Sequence, residues 1–416
     1  MKILLVHIFF SNEYSSGVNP IVFGTFETLK KQGHNIYIFA ENIKPFIDEN
    51  YEYSQYFPES NLLWKGDINW KTELKYYTNS LYNIEAQNKL GKMLDNIKPD
   101  LVHIHTTWDM SFSILKPIKD RKIPVIYTAH DISLFCPASF YIGLNYCNDC
   151  KGLNTLPCTF KKCVKGIGWR SAYFTFKAFV ERFIGAHRNI SKYIAVSQAE
   201  KDYIKTIGIN ENKITVLSNF IDKSLAEISI PDYSKDTKYF LYAGGVSAAK
   251  GIYTLLDTIK QIPKEIEFHI AGGGKYETIE NFVQDNNLTN IKILDLITQK
   301  QMQEEYKNCI AVIMPSEIFE TFGMVNIEAA IYGKPSISSN IGGLPDVVED
   351  GKTGQIFEPK NVKQLKECIL KYWNNRDLAI EHGKNAREKA LTQYNEDLYF
   401  EKLMKIYEEV LENAKR

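Results

Sequence analysis

The stretch S-E-I-F-E-T-F-G-M-V-N-I-E-A-A occupies residues 316–330 and follows a continuously apolar run at 310–314 and then Pro315. A short apolar run of this kind is typical of a strand buried on both faces of a parallel sheet, and Pro315 ends it. Beyond the proline, Thr321 is a candidate N-cap, and the residues from 325 to 332 favour a helix. The stretch therefore predicts one strand–turn–helix unit of an α/β domain.

The same kind of unit recurs along the chain, with segments of helical spacing between short runs rich in Ile and Val. The other runs lie at residues 3–9, 36–40, 101–105, 125–128, 193–196, 214–217, 239–243, 267–271, 291–294 and 335–338. This alternation predicts an α/β protein with doubly wound parallel sheets in Rossmann-like domains.

A polar stretch with a proline, at residues 222–238, interrupts the alternation and indicates a linker. We expect a first domain over 1–222, a linker over 223–238, a second domain over 239–385 and a charged helical tail over 386–416 that packs back on the first domain. Two such domains face each other across a cleft, and open parallel sheets bind ligands beyond the carboxyl ends of their strands.

The charge balance and the apolar runs limit the class of protein. Lys and Arg number 50, and Asp and Glu also number 50, so no net charge favours a nucleic-acid partner. The apolar start, M-K-I-L-L-V-H-I-F-F, has no small-residue cleavage site and predicts a first strand rather than a signal peptide. No apolar run approaches the ~20 residues that span a bilayer. We therefore expect a cytoplasmic protein, with contact to the inner face of the membrane as an open alternative.

The helix start near residue 322 is a candidate anion site. The backbone N–H groups of Phe322, Gly323 and Met324 would lie at a helix N-terminus, which favours negative charge, and Gly323 permits close approach of a ligand. If the whole span were helical, Glu320 and Glu328 would lie about 12 Å apart along the axis. They could then accept hydroxyl hydrogen bonds on either side of a bound phosphate, as in a nucleotide-sugar. The alternative is a solvated helix start with two surface acids.

A glycine-containing loop supplies a candidate cation. The stretch Y-A-G-G-V-S-A-A-K-G at 242–251 follows a predicted strand, contains Gly244 and Gly245, and ends with Lys250 and Gly251. A lysine at the carboxyl end of a strand is placed to neutralise a diphosphate leaving group. Such a lysine on its own is more often a surface residue, but beside the helix start it favours a phosphate site.

These motifs resemble, in their residues and their order, the retaining glycosyltransferases of family 4, which have the GT-B fold. The matching segments are K-Q-G-H-N-I-Y-I-F-A (31–40), P-D-L-V-H-I-H (99–105), V-I-Y-T-A-H-D (125–131), I-A-V-S (194–197), N-F-I-D (219–222), G-G-V-S-A-A-K-G (244–251), I-A-G-G-G (270–274), E-T-F-G-M-V-N-I-E (320–328) and G-K-P-S-I-S-S-N-I-G-G-L-P-D-V-V (333–348). The resemblance covers nearly the whole chain.

The resemblance implies a role for each matching residue. Glu328 would accept the ribose hydroxyls, Glu320 would bind the donor sugar and Lys250 would bind the diphosphate. His130 would approach the transferred sugar, and Asp131 would help to position it. The amides at 322–324 would hold the sugar and phosphate. Neither a metal nor a covalent intermediate is implied.

Three positions depart from the family pattern. Gly245 stands where an arginine is usual, so one diphosphate cation is missing, and the first loop keeps only Gly17 of a usual Gly-Gly pair. Asp346 stands where Glu is frequent. We still expect a hexosyltransferase that moves a sugar from a nucleoside diphosphate to a hydroxyl of a glycan or lipid-linked acceptor, in cell-surface polysaccharide biosynthesis. The alternatives are an epimerase or another GT-B enzyme, or a silent glycan- or nucleotide-binding protein.

Two further features of the first half leave alternatives open. Four cysteines, Cys147, Cys150, Cys158 and Cys163, have short spacings that suit a structural tetrahedral zinc, and free thiols or disulfides are the alternatives. His103 and His105 alternate on a predicted strand, where packing is favoured over metal binding.

The segment 151–192 is basic and aromatic, with nine Lys/Arg and a single acid, Glu181. Its helical part carries an apolar stripe of Phe176, Phe179, Val180 and Phe183. Either the stripe is core, or residues 165–192 lie on anionic lipid as a peripheral membrane contact.

Overall fold

The computed structural model describes residues 1–10, 17–43, 51–60, 70–107, 110–138, 147, 149–227, 239–274 and 276–415. Most of the predicted linker, residues 228–238, lies outside these ranges, and so do Ser15 and Ser16 of the first loop. Within them the chain forms two parallel α/β sheets. The predicted fold class is confirmed.

The first sheet has the strand order β2-β1-β3-β4-β5-β6, and every neighbouring pair is parallel. Its strands are β1 (Lys2–Val6), β2 (Asn35–Phe39), β3 (Leu101–Ile104), β4 (Val125–Ala129), β5 (Lys192–Ala195) and β6 (Ile214–Val216). Every residue of β3, β4 and β5 is buried, because helices cover both faces of the sheet.

The helices of the first domain follow the periodicity of the sequence. They are α1 (Asn19–Lys31), α2 (Trp70–Leu81), α3 (Ile84–Ile97), α4 (Leu115–Asp120), α5 (Leu156–Phe160), α6 (Gly168–Phe183), α7 (Gln198–Thr206) and α8 (Lys223–Ala226). The helix α3 illustrates the local control: the side chain of Asn83 accepts a hydrogen bond from the Ala86 amide and so fixes its start.

The second sheet has the strand order β12-β11-β10-β7-β8-β9, again with parallel pairs only. Its strands are β7 (Tyr239–Ala243), β8 (Glu267–Ala271), β9 (Ile291–Asp295), β10 (Val312–Met314), β11 (Ser336–Ser339) and β12 (Gly354–Phe357). The sequence did not indicate β12, because four residues with one glycine carry little strand signal until β11 pairs with them.

The remaining helices surround the second sheet and close the chain. They are α9 (Ile252–Ile259), α10 (Glu277–Asp285), α11 (Gln299–Asn308), α12 (Met324–Ile331), α13 (Leu344–Val347), α14 (Val362–Asn374), α15 (Arg376–Gln393) and α16 (Glu396–Lys415). The predicted boundary at 385/386 falls inside α15, which packs against α12 of the second domain. The last helix, α16, joins the core of the first domain instead.

The strand orders locate one switch point in each sheet. In the first sheet the order reverses between β1 and β3, and in the second between β7 and β10. Ligands of open α/β sheets bind beyond the carboxyl ends of the strands at such points, because the connecting loops diverge there. The loops after β1 and β3, and those after β7 and β10, are therefore where a functional site is expected.

The contact between α16 and the first sheet includes a buried hydrogen bond. Tyr407 is fully buried, and its hydroxyl lies 2.8 Å from Nδ1 of His103. We expect Tyr407→Phe to lower the free energy of unfolding by about 1–3 kcal/mol, because a buried ring nitrogen loses its partner. Urea unfolding checks this, with the exposed Tyr253→Phe as the matched control. Equal stability of the two variants would contradict the role of this contact.

Candidate functional site

The loops at the switch point of the second sheet bring Lys250 and Glu320 together. Lys250 Nζ lies 2.6 Å from Glu320 Oε1, with side chains that are 34% and 12% exposed. A Cβ atom at Gly251 would lie 1.7 Å from the carbonyl oxygen of Pro315, so only glycine lets the two loops meet so closely. This backbone approach places the ammonium group over the carboxylate.

A glycine pair fixes the position of Glu320 from the other side. The Gly343 amide donates to the Glu320 carbonyl at 2.7 Å, and a Cβ at Gly342 would lie 2.2 Å from that same oxygen. The hydroxyl of Ser316 also donates to the carboxylate oxygen that Lys250 approaches. The segment 333–348 resembled a family motif, and the structure shows that its glycines pack against the backbone of Glu320.

The helix start differs from the sequence prediction. The helix α12 begins at Met324, and its N-cap residue is Gly323 in the left-handed conformation, with φ 98°. Thr321 is not the N-cap, since its hydroxyl donates to the carbonyl of His130 at 2.9 Å across the cleft. Glu320 therefore precedes the helix, and the spacing that an uninterrupted helix would give the two acids does not apply. Phe322 is buried, so the backbone of 322–324 lines the site while that side chain anchors it.

Glu328 lies one turn into α12 and faces α11 rather than Glu320. The hydroxyl of Tyr306 donates to Glu328 Oε2 at 2.8 Å. Burial raises the pKa of Glu328, and the Tyr306 hydrogen bond lowers it in part. The sequence gave no signal for Tyr306, because it stands in a polar helix 22 residues away.

His130 follows β4 at the floor of the cleft and is paired with a second histidine. His130 Nε2 lies 2.9 Å from His105 Nδ1, and the two rings stack with centroids 5.2 Å apart. Burial lowers the pKa of His130 to about 3, so the ring is neutral at physiological pH. Such a ring can donate or accept a hydrogen bond but brings no charge to a substrate.

Four buried histidines line this end of the first sheet. His7 Nδ1 lies 3.1 Å from the Thr106 hydroxyl, and His103 Nε2 lies 2.7 Å from the Thr128 hydroxyl. His103 and His105 are 0% and 1% exposed, so the prediction that they pack in the core is confirmed.

The other predicted donor-site residues lie in the loops after β4, after β7 and before α1. The carboxylate of Asp131 accepts from the Ser133 amide at 2.7 Å and so starts a short turn after His130. Gly244 and Gly245 begin the loop that carries Lys250, and open space surrounds the Cα of Gly245. Gly17 lies in the loop before α1 with φ 64°.

The two domains touch at the rim of the cleft. The carboxylate of Asp346 accepts a hydrogen bond from the Gln198 amide at 2.7 Å, at the N-terminus of α7. Phe319 packs against Phe135 and Tyr203, with ring centroids 5.9 and 4.7 Å away. Together with the hydrogen bond from Thr321, these contacts bring the loop of Glu320 against the loop of His130.

Three of the four predicted cysteines gather into one cluster with a fourth, Cys136, that the sequence analysis left out, and Cys147 is not part of that cluster. Cys158 is buried, and Cys136, Cys150 and Cys163 pack against the same cluster. The thiols of Cys150 and Cys158 donate to backbone carbonyls, and burial raises the pKa of both.

These thiols do not form a metal site as they stand. Within the part of the chain that the structure describes, no three His, Cys, Asp or Glu side chains are arranged to hold a metal ion. The thiols of Cys150 and Cys158 donate to the carbonyls of Thr155 and Ser171 instead. A structural zinc at Cys147, Cys150, Cys158 and Cys163 stays a prediction.

Comparison with known proteins agrees with this geometry. The family model described as Glycosyltransferase Family 4 matches residues 15–225, and the one described as Glycosyl transferases group 1 matches residues 226–389. The chain belongs to glycosyltransferase family 4. The family resemblance inferred from the sequence is confirmed.

Two relatives and two solved structures illustrate the similarity. The chain is 34% identical over 54% of its length to an uncharacterised glycosyltransferase of Methanocaldococcus jannaschii. It is 28% identical over 53% of its length to the capsular polysaccharide biosynthesis glycosyltransferase CapM of Staphylococcus aureus. It spans 61% and 62% of these relatives' own lengths.

Two solved structures have the same fold as this chain over nearly its full length. Sucrose-phosphate synthase from Thermosynechococcus elongatus has a TM-score of 0.75 at 18% identity, with 99% of each chain covered. The Anabaena protein HepE in complex with UDP-glucose has a TM-score of 0.66 at 18% identity, with 98% of this chain and all of HepE covered. Among the described residues, no helix has the length and apolar character required to cross a bilayer.

The histidine cluster makes the stability of the protein pH-dependent. Burial lowers the pKa of His7, His103 and His130 to about 3 each, from the ordinary histidine value of 6.5. Below about pH 6.5 the unfolded chain binds protons that the native state does not. We therefore expect the free energy of unfolding to decrease as the pH is lowered below about 6.5, by about 1.4 kcal/mol per pH unit for each such histidine.

Urea unfolding between pH 7.5 and 5.5 measures this slope. His7→Asn should reduce the slope, because one proton-binding group of the unfolded state is removed. The matched control is His34→Asn, at a more exposed histidine, which should reduce it less. A pH-independent free energy of unfolding would contradict the neutral cluster.

Proposed function

We propose that this protein is a retaining glycosyltransferase that moves a sugar from a nucleoside-diphosphate-sugar to a hydroxyl of a glycan or lipid-linked acceptor. We place the reaction in the cytoplasm, at the inner face of the cell membrane, in cell-surface polysaccharide biosynthesis. The observation that carries the proposal is the Lys250–Glu320 ion pair at the switch point of the second sheet, beside His130.

The ion pair supports donor binding by exchange of partners. A bound diphosphate offers Lys250 an anion of higher charge, so the ammonium group moves from the carboxylate to the phosphate. Glu320 is then free to accept hydrogen bonds from the donor sugar. Because Lys250 meets the phosphate as the sugar–phosphate bond breaks, it stabilises the charge that develops on the leaving group.

Retention follows in this proposal from positioning rather than from an enzyme nucleophile. The leaving phosphate oxygen takes the proton of the incoming hydroxyl on the face it has just left. His130, which is neutral, holds a hydroxyl of the transferred sugar by a hydrogen bond, and His105 fixes its ring. Holding the reactants in a productive orientation lowers the activation free energy of the transfer by several kcal/mol. No metal takes part in these steps.

The class of donor is inferred from the comparisons and from the position of Glu328. The UDP-glucose complex of HepE, which has the same fold, supports a uridine nucleotide. The relative CapM supports a capsular or similar polysaccharide as product. In this chain Glu328, with Tyr306 behind it, is the group we assign to the ribose hydroxyls.

A silent nucleotide-binding protein is the second candidate. The observation that favours it is Gly245, which leaves open space where the family supplies a second cation. The intact Lys250–Glu320 pair favours the enzyme.

Replacing Glu320 by Gln tests the mechanism. The variant keeps the size of the side chain but loses its charge, so it holds the donor sugar and Lys250 less well. We expect kcat/KM to fall by roughly two to three orders of magnitude. Donor turnover measured with UDP-, GDP- and ADP-sugars reports this, after a thermal-shift screen has identified the donor that stabilises the wild type.

The matched control is Glu367→Gln, at an exposed position of α14, which should leave turnover unchanged. Full transfer activity in Glu320→Gln would contradict the assigned mechanism. A wild-type protein that is stabilised by a donor but neither transfers nor hydrolyses it would establish the binding-protein alternative.

Replacing Tyr306 by Phe tests the assignment of Glu328. The hydroxyl favours the ionised form of Glu328, so its loss raises the pKa of that carboxyl further. Since the ionised form accepts both ribose hydroxyls, donor affinity should fall about tenfold or more, and the midpoint of its loss at low pH should shift upward.

Isothermal titration with the nucleotide at several pH values measures both effects. Tyr332→Phe is the matched control, because that ring stacks on Tyr306 but its hydroxyl has no hydrogen-bond partner among the described residues. Unchanged affinity in Tyr306→Phe at every pH would remove Glu328 from the ribose site.

A further inference from the structure

The helix α6 exposes a continuous apolar stripe. Trp169, Phe176, Phe179 and Phe183 are 57%, 55%, 39% and 62% exposed, and Ala172 lies between them. The spacings of three, four, three and four residues place all five on one side of the helix. We call these five residues the aromatic face.

The opposite side of α6 is the one that packs on the protein. Ser171, Phe174, Thr175 and Arg182 are buried there, and Arg182 donates to the carbonyls of Phe135 and other loop residues. Of the two interpretations left open by the sequence, the one that puts the stripe in the core is therefore wrong. The helix α6 carries apolar residues on both sides, so the sequence alone does not show which side is buried. The elements that pack against α6 decide that.

The aromatic face is large for a protein surface. At 150–250 Å² for each aromatic side chain, the exposed fractions correspond to on the order of 400 Å² of apolar surface. The region of α5, which packs against the opposite side of α6, exposes three further apolar residues, Leu153, Leu156 and Phe160, at 51%, 57% and 80%. Contiguous apolar patches of this size mark interaction sites.

The surroundings of the aromatic face are positively charged. The segment 151–192 holds nine Lys/Arg and one acid, although the whole chain has no net charge. Lys161, Lys162, Lys165 and Arg188 are exposed at the two ends of α6. Lys161 pairs with Asp149, and two cations of α6 pair with Glu73 and Glu181, so the nine cations of the segment outnumber these three acids.

These two properties select between possible occupants. Two copies of this chain meeting at the aromatic face would bring their cationic rims together, and like charges across an interface oppose association. An anionic lipid surface satisfies both: aromatic side chains favour the headgroup region, and lysines gain from the negative surface potential.

We propose that the aromatic face of α6 rests on an anionic lipid bilayer, with Trp169 and the three phenylalanines in the headgroup region and the cationic rim on the lipid phosphates. The inference deepens the location given under the proposed function but does not depend on the reaction. It assigns the contact to the first domain, which contains α6.

Vesicle flotation of the whole protein tests the contact. The wild type should float with vesicles of phosphatidylcholine and phosphatidylglycerol at 3:1, and bind pure phosphatidylcholine at least tenfold less. Phe176→Ser/Phe183→Ser should reduce flotation at least tenfold, and Lys162→Glu/Lys165→Glu should remove the preference for anionic vesicles. Both pairs are exposed, so the fold should be retained, and the circular dichroism spectrum verifies this.

The matched control is Leu296→Ser/Tyr253→Ser, two exposed apolar positions of the second domain, which should float as the wild type does. A wild type that stays unbound to anionic vesicles would overturn the proposal. So would a wild-type dimer in light scattering that Phe176→Ser/Phe183→Ser converts to a monomer without any change in flotation, which would make the face a contact between copies. Thermal shift by the donor, measured on the same variants, reports the proposed function separately.

Discussion

The ion pair between Lys250 and Glu320 depends on a single steric constraint, the contact of the loop after β7 with the loop after β10. Gly251 lies so close to the carbonyl of Pro315 that any side chain would separate the loops. Gly342 packs against the backbone of Glu320 on the other side, and the Gly343 amide donates to the Glu320 carbonyl. The backbone of Glu320 is therefore fixed by glycines, and its carboxylate is held by the side chains of Lys250 and Ser316.

The constraint also connects the two domains. Thr321 follows Glu320 directly, and its hydroxyl reaches the backbone of His130 in the first domain. Phe319 precedes Glu320 and packs on rings of that domain. A segment of three residues thus presents an acid to the cleft and ties the domains together. We expect a ligand that binds at Lys250 and Glu320 to affect the contact between the domains, because the backbone that carries Glu320 also carries Phe319 and Thr321.

Much of the fold follows from local pattern. The buried runs, the helix periods and the linker position predicted two parallel α/β domains, and the strands of both sheets match except β12. Errors occurred where a residue's partner is distant in the chain. Thr321 is of a residue type that is common at N-caps. Its hydroxyl instead donates to the His130 carbonyl across the cleft, and Gly323 is the N-cap of the helix. Tyr306 and Cys136 showed no signal, and for His105 the sequence indicated packing but not its contact with His130, which lies 25 positions away in the chain.

The sequence by itself determined which chemical groups are present and in what order: the two acids, the lysine beside a glycine, the histidine after β4 and the basic aromatic segment. It determined these because strand, turn and helix preferences act over a few residues. Only the tertiary structure decided that Lys250 meets Glu320, that Glu328 meets Tyr306, and that the aromatic face of α6 is exposed. Those contacts depend on which surfaces come together when the chain folds. A local sequence pattern does not specify contacts between residues that are distant in the chain.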